Sequence, residues 1–438
     1  MMKNKLLNNT LWMMLEKGSR LVIGVLVSGL MARSLGPDGF GQLNYLISLL
    51  TIASVLSSLG LNRIIVREVA NHLEDKLFCN NTVVTAFYLR LIVSLVLWIT
   101  VSVIGLLFLP EDMLFITIIF SSLFFIAFDV FDFYAQGSSD FKVISLCRLA
   151  TFLVTSLLKI GVILLGGGLD VFVWLVMIEY LLVAVFFYAF FIRKRHLALT
   201  LEQVKVRRGV ELVMESWPEI IAGFGAILFM RLDQIFLQWL SGDASVGIYS
   251  AATRITEAWY FLPSVIIATT FPKLLSLRGT SYERYFEGIR VLMSFLVILS
   301  VAVALFFSIT ADWIVALLFG PNYAESANVI VLHTWGGIFL CMGITSGSWL
   351  VAERKLKLNL QRNLFGLAVS AITNWMLIPL YGVTGSAIAT VAGLGAAFYF
   401  FDLLHPQLRP MFWLKSSAFW PTHLYHFIRD RKYLNHEA

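Results

Sequence analysis

Ser34-Leu35-Gly36-Pro37-Asp38-Gly39-Phe40-Gly41-Gln42-Leu43-Asn44-Tyr45 and, 206 residues further on, Leu240-Ser241-Gly242-Asp243-Ala244-Ser245-Val246-Gly247-Ile248-Tyr249-Ser250-Ala251 are two versions of one passage. In each, a long apolar run stops at a short polar turn built on glycine, and a second apolar run begins at once. Gly36 matches Gly242 and Gly41 matches Gly247 at the same offset. A fainter echo links Gln136-Gly137-Ser138-Ser139-Asp140-Phe141-Lys142 with Ala352-Glu353-Arg354-Lys355-Leu356-Lys357. The two echoes together indicate an internal duplication.

The apolar runs on either side of these turns recur along the whole chain. Crossing about 30 Å of hydrocarbon takes about 20 mostly apolar residues in a helix. Runs of that kind fall near 11–33, 40–61, 82–109, 113–136, 146–167 and 169–192, then near 216–240, 246–271, 290–311, 327–351, 360–380 and 383–404. Lipid offers no partner for backbone N–H and C=O groups, so the spans are helices; a barrel would show ~10-residue alternating segments, and none appear. Composition agrees: 59% of the 438 residues are hydrophobic, only 14% are charged, and the mean hydropathy is +0.82. An ordinary soluble domain has about 25% charged residues.

The placement of charge orients the helices. With the N-terminus in the cytoplasm, the inner segments carry 26 of the 33 Lys and Arg residues, from Lys3 and Lys5 through Arg193, Lys194 and Arg195 to Arg429, Arg431 and Lys432. The outer loops hold only Arg33. Positive charge marks the cytoplasmic side, and one missed span would invert the pattern downstream. The expected architecture is therefore all-α and polytopic, with about twelve spans and both ends inside. The N-terminus reads as an uncleaved first span.

Six spans per half is an even number, so both halves start on the same side and form parallel repeats. The expected division is 1–209 as one six-helix bundle, 210–404 as a second, and 405–438 as a cytoplasmic amphipathic tail. Two such bundles leave a cleft that can open to either side. The outer loops are short and offer no place for an external catalytic domain.

A dozen charges lie within the spans: Glu16, Lys17, Arg20, Arg90, Asp129, Asp132, Lys159, Glu179, Arg231, Asp233, Arg254 and Glu257. Each would cost at least about 2.5–3.5 kcal/mol facing lipid at the bilayer centre. Most must line water, pair with one another or snorkel. Glu16 with Arg20 and Arg254 with Glu257 have ion-pair spacing on one helix face. Among the deeper members, Arg20, Arg90, Lys159, Arg231 and Arg254 match or outnumber the acids, which favours an anionic ligand; the planar arginine fork suits phosphate. These five are the candidate substrate contacts. Glu179 and Glu257 are candidate proton carriers, since a desolvated carboxyl holds its proton more tightly.

Other chemistry is missing. There is no GxxxxGK[ST], no HExxH and no paired-cysteine metal motif, so no cofactor or metal is expected; Gly166-Gly167-Gly168 precedes no lysine. Cys79, Cys147 and Cys341 read as unpaired thiols, and His72, His333 and His405 lie on separate segments. The excess of positive charge belongs to the loops and does not indicate nucleic acid. Pro218, Pro263 and Pro379 mark span starts or kinks, and Gly343 with Gly347 reads as a helix-packing pair.

Ala32 to Gly41, continuing to Leu59-Gly60-Leu61-Asn62 and Arg67-Glu68, resembles the bacterial polysaccharide (O-antigen, Wzx-type) flippases. So do Arg231-Leu232-Asp233-Gln234 with Gly247 to Ala252, Pro263 and Phe271-Pro272, and Asn374 with Ile378 to Thr390. The likeness runs over essentially the whole chain and rests on the order of loose motifs. It implies the fold of the multidrug/oligosaccharidyl-lipid/polysaccharide exporters, two six-helix bundles working by alternating access in a bacterial inner membrane. It also implies a substrate carried on undecaprenyl pyrophosphate and moved outward, with membrane lipid, a polysaccharide polymerase and a chain-length regulator as candidate partners. Two other readings are a multidrug/cation antiporter of the same fold and a membrane-embedded polysaccharide-modifying enzyme.

Overall fold

A computed structural model describes residues 2–138, 141–195 and 199–420, and the side chains among them except those of 2–15, 141, 142 and 192–195. Several inner cations of the sequence reading, among them Lys3, Lys5, Lys142, Arg193, Arg429, Arg431 and Lys432, lie outside the described side chains, as does the tail beyond 420. The helices are α1 (Met2–Ser58), α2 (Asn62–Asn71), α3 (Lys76–Phe108), α4 (Met113–Ile126), α5 (Asp129–Gly137), α6 (Phe141–Leu164) and α7 (Leu169–Arg195). There follow α8 (Val206–Ser241), α9 (Asp243–Leu277), α10 (Tyr282–Leu318), α11 (Ser326–Ala352), α12 (Leu356–Gly395), a π-helical turn (Ala396–Phe400), α13 (Phe401–Leu404) and α14 (Arg409–Ser417). No strand occurs among the described residues.

Among the described residues ten helices are long and apolar enough to cross a membrane, which makes this a multi-pass membrane protein. Two of them, Glu16–Ser58 and Leu356–Leu404, have 43 and 49 residues, more than one crossing needs. Each contains a glycine with non-helical backbone: Gly36 at φ 69°, ψ 175° and Gly382 at φ 55°, ψ −130°. Divided at those glycines, the ten helices give the twelve spans expected from hydropathy. Around Gly382 the chain folds back on itself. The Ser386 hydroxyl donates to the Asn374 side-chain oxygen at 2.9 Å, and a Cβ on Gly366 would stand 2.8 Å from the Gly393 carbonyl.

The quoted turns share one conformation. Gly242 has φ 80°, ψ −176°, close to Gly36, and Gly320 repeats it at φ 91°, ψ −179°. Side chains other than glycine's are essentially barred from this region.

The chain divides into two compact units, Met1–Arg231 and Leu232–Ala438, with the division inside α8. In the first unit α1 packs on α6, α4 on α7 and α3, and α2 on α5. The last contact is close because Gly137 faces α2: a Cβ there would stand 2.8 Å from Val69 Cβ. A core of Leu61, Ile65, Val83, Phe87, Phe131, Phe187 and Phe191, among others, fills this end of the unit.

In the second unit α11 packs on α9, α10 and α12. Its core includes Met293, Leu296, Cys341, Met342 and Leu350, and α14 joins it through Met411 and Leu414. The sequence reading makes residues 405–438 an amphipathic tail, one face of which needs a partner. Its described part includes α14, which buries one face in the protein while Trp413 stays exposed. Lys415 is fully buried, 2.7 Å from Asp402 and 2.5 Å from the Phe398 carbonyl. That carbonyl lies in the π-helical turn, where the regular i→i−4 ladder is interrupted.

Candidate functional site

Arg148, Phe152, Thr155 and Lys159 follow one another at spacings of four, three and four residues, so they lie along a single face of α6. At 1.5 Å per residue the stripe is about 16 Å long, half the hydrocarbon thickness. Every cation on it meets a carboxylate from another helix. Lys159 Nζ lies 2.7 Å from Glu179 Oε2 of α7. Arg148 lies 2.5 Å from Asp132 and 3.1 Å from Asp129, both at the start of α5. Asp132 also accepts from Gln136 at 2.9 Å. Between the two ends, Arg20 of α1 lies over the Phe152 ring at 5.3 Å and pairs with Glu16 at 3.0 Å.

Three cations and four carboxylates therefore share this face. Single charges would be prohibitive there, and pairing lowers the cost without making the pairs a large source of stability. The side chains remain in reach of a ligand: 14% of Lys159, 23% of Glu179, 29% of Arg148 and 35% of Arg20 are exposed. Arg148 was read from sequence only as an inner-loop cation. Its signal was the helical spacing to Lys159, visible within the 146–167 run itself.

Arg90 stands apart from the stripe. It is 1% exposed, donates to the Ile126 carbonyl at 3.1 Å and lies 5.7 Å from the Phe133 ring. Its Nε and Nη1 have no hydrogen-bond partner among the described residues. Arg231 is half-buried at the end of the first unit. Arg254 and Glu257 are half-buried one turn apart on α9 in the second.

The second unit holds a buried polar network that sequence reasoning did not single out. Asp233 is 3% exposed. The Tyr249 and Thr390 hydroxyls lie 2.7 and 2.8 Å from one carboxyl oxygen, and the Asn374 amide donates to the other at 2.8 Å. The Tyr249 oxygen lies 3.0 Å from His333 Nε2, and Asn374 is itself held by Ser370 and Ser386. Four helices contribute, and no Lys or Arg is among these contacts. A buried carboxyl held only by neutral donors is stable either protonated or beside a small cation. Arg362, 2% exposed, is set differently, donating to Ser346 at 2.8 Å and to the Gly343 carbonyl at 3.0 Å. Gly343 and Gly347, expected as a helix-packing pair, seat the side chains of Phe398 and Arg362.

Elsewhere in the first unit, α2 and the start of α8 are joined by ion pairs: Arg63–Glu219 at 3.3 Å, Arg67–Glu215 at 2.5 Å, and Arg208 with Glu68. Burial would raise the Glu68 carboxyl, but the hydrogen bonds from Arg67 and Arg208 hold it below its ordinary value. No cluster of His, Cys, Asp and Glu suited to a metal occurs among the described residues.

Residues 6–278, more than half of the chain, match the family described as polysaccharide biosynthesis protein, and the chain belongs to that family. A capsular polysaccharide biosynthesis protein, CapF of Staphylococcus aureus, is 27% identical over 178 residues, covering 39% of this chain and 44% of that protein. A probable flippase, AglR of Haloferax volcanii, is 25% identical over 269 residues, 59% of this chain and 54% of that one. The chain thus spans about half the length of the curated relatives it matches. Among solved structures, an inward-facing multidrug transporter of the MATE family superposes with a TM-score of 0.62 at 16% identity, covering 94% of this chain and 98% of the other. The lipid II flippase MurJ, inward closed, gives 0.62 at 10% identity, covering 97% and 93%. At those identities the likeness establishes the fold.

Proposed function

We propose that the protein is a flippase for a lipid-linked oligosaccharide, moving a surface-polysaccharide repeat unit on undecaprenyl pyrophosphate from the inner to the outer leaflet of a bacterial inner membrane. O-antigen or a related polysaccharide is the product it serves. The observation that carries this reading is the polar stripe on α6. A sugar-diphosphate headgroup cannot cross about 30 Å of hydrocarbon unaided, and a helix carrying Arg148 and Lys159 about 16 Å apart supplies polar contacts over half that distance. Membership of a polysaccharide biosynthesis family supports the substrate class.

Arg20, Lys159, Arg231 and Arg254, joined by Arg148, are the proposed contacts to the pyrophosphate, with both ends of the chain in the cytoplasm; Arg90, expected among them, is buried against the Ile126 carbonyl and is out of a ligand's reach. Glu179 and Glu257 are the proposed coupling carboxyls. The geometry around Asp233 adds a third, because its partners are neutral and a proton or small cation would complete it. Two bundles working by alternating access would carry the headgroup while the lipid tail stays in the bilayer. A polymerase and a chain-length regulator are the proposed downstream partners.

Deletion of the gene tests the reading: lipid-linked repeat units should accumulate on the cytoplasmic face and surface polysaccharide should disappear. Normal surface polysaccharide in a strain with no second flippase would overturn it. The multidrug/cation antiporter reading draws on the carboxylates of the α6 stripe, which outnumber its cations. Protection against cationic dyes with normal polysaccharide would favour it.

A further inference from the structure

The ion pairs along α6 present a conflict if the protein binds a diphosphate. Lys159 Nζ is 2.7 Å from Glu179, and Arg148 is already shared by two aspartates. A phosphate oxygen approaching either cation meets a carboxylate at hydrogen-bond distance, and two anions on one ammonium repel. We infer that Glu179 holds the place of the substrate phosphate on Lys159, and that the phosphate takes this cation only when Glu179 accepts a proton. The inference rests on the flippase reading and deepens it.

The step balances simply. A proton from solvent bonds to Glu179 Oε2, the neutral carboxyl releases Lys159, and the ammonium turns its N–H groups to a phosphate oxygen. One proton enters the site with each diphosphate. Arg148 forms an equivalent station nearer the inner end, where Asp129 and Asp132 hold the place of the phosphate. Arg20, kept over Phe152 by Glu16, lies between the stations. The helices packed on α6 are α1, α5 and α7. The titratable and charged groups they bring to this face are Glu16 and Arg20, Asp129 and Asp132, and Glu179 with Tyr180, whose phenol interacts electrostatically with Glu179, Asp129, Arg20 and Arg148. Arg90 of α3 acts at longer range on Asp129. Glu179 is the carboxyl whose loss frees a cation without disturbing a second pair, since Lys159 has only that partner in an ion pair among the described residues.

The test is binding of a C55 polyprenyl diphosphate, without sugar, to the full chain in neutral phosphatidylcholine nanodiscs at about pH 6 and about pH 8. Wild-type protein should bind about tenfold more tightly at the lower pH, with proton uptake seen as buffer-dependent heat. Glu179→Gln should bind at the higher pH as wild type does at the lower, and its pH dependence should shrink to about threefold or less. Glu179→Gln/Lys159→Gln, which removes both charges and keeps the pair neutral, should fold and bind weakly at both pH values. A polyprenyl alcohol should not bind at the site, and phosphatidylglycerol should not displace the diphosphate. Glu179→Gln binding no tighter than wild type at the higher pH overturns the exchange and leaves the flippase reading intact. Displacement by phosphatidylglycerol also overturns the assignment, since the site would then be one for bulk lipid. Wild type that binds no polyprenyl diphosphate at either pH overturns both.

Discussion

Lys415→Met tests what fixes the C-terminal helix. The substitution keeps most of the side-chain volume and removes the ammonium that reaches Asp402 at 2.7 Å and the Phe398 carbonyl at 2.5 Å. Asp402 is 1% exposed, so its charge would be left without compensation in the interior. Removing one partner of a buried pair costs about 3–5 kcal/mol. Against this stands the burial of Leu408, Met411, Phe412 and Leu414, each worth roughly 1.5–3 kcal/mol, or about 6–12 kcal/mol together as an upper bound. Apolar burial wins, so α14 should stay docked while its open population rises by a factor of about 10² to 5 × 10³. A cysteine at Leu414, with Cys79, Cys147 and Cys341 replaced, reads this as the rate of maleimide labelling under native conditions. Adding Asp402→Asn in the same background should return the rate most of the way. Labelling of Lys415→Met within about threefold of wild type would refute the idea that the Lys415 contacts to Asp402 and the Phe398 carbonyl hold the helix.

The same pair predicts a pH effect of definite sign. Burial lowers the Lys415 ammonium to about 8 from its ordinary 10.5; Asp402 opposes that shift, and Arg362 adds to it. Between these two values the undocked helix binds more protons than the docked one, so docking strengthens as pH rises through the window. Labelling of the Leu414 cysteine, relative to a free thiol peptide, should therefore fall from about pH 8 to about pH 10. Gly242→Ala should destabilise by about 1–3 kcal/mol, read as a lower midpoint of thermal unfolding, because a Cβ there meets nothing within 4 Å and the whole cost is backbone strain at φ 80°. Asp233→Asn should leave protein level unchanged and remove the pH or cation dependence of transport, measured as repeat-unit export in cells at two external pH values.

Much of the architecture could be read from sequence because the spans are local. An apolar run of sufficient length must be helical in lipid whatever its neighbours, and a glycine between two such runs marks the turn. That is why hydropathy gave twelve spans even where two helices follow each other directly at Gly36 and Gly382 with no loop between them. The i, i+4 pair Glu16–Arg20 was equally legible, since both partners sit on one helix. Lys159–Glu179 was not, because it depends on how α6 and α7 are rotated and aligned against each other.

The amino-acid sequence by itself therefore determined the solvent, the number of crossings, the positions of the glycine turns and the inventory of charges within the spans. Only the tertiary structure decided what those charges do. It set three cations of α1 and α6 against four carboxylates, gathered Asp233, Tyr249, His333, Asn374 and Thr390 from four helices, and drew Lys415 into the interior. The physical reason is one of range. Helix formation in lipid is settled within a single segment, whereas the worth of a buried charge depends on the group within about 4 Å of it, and helix packing chooses that group.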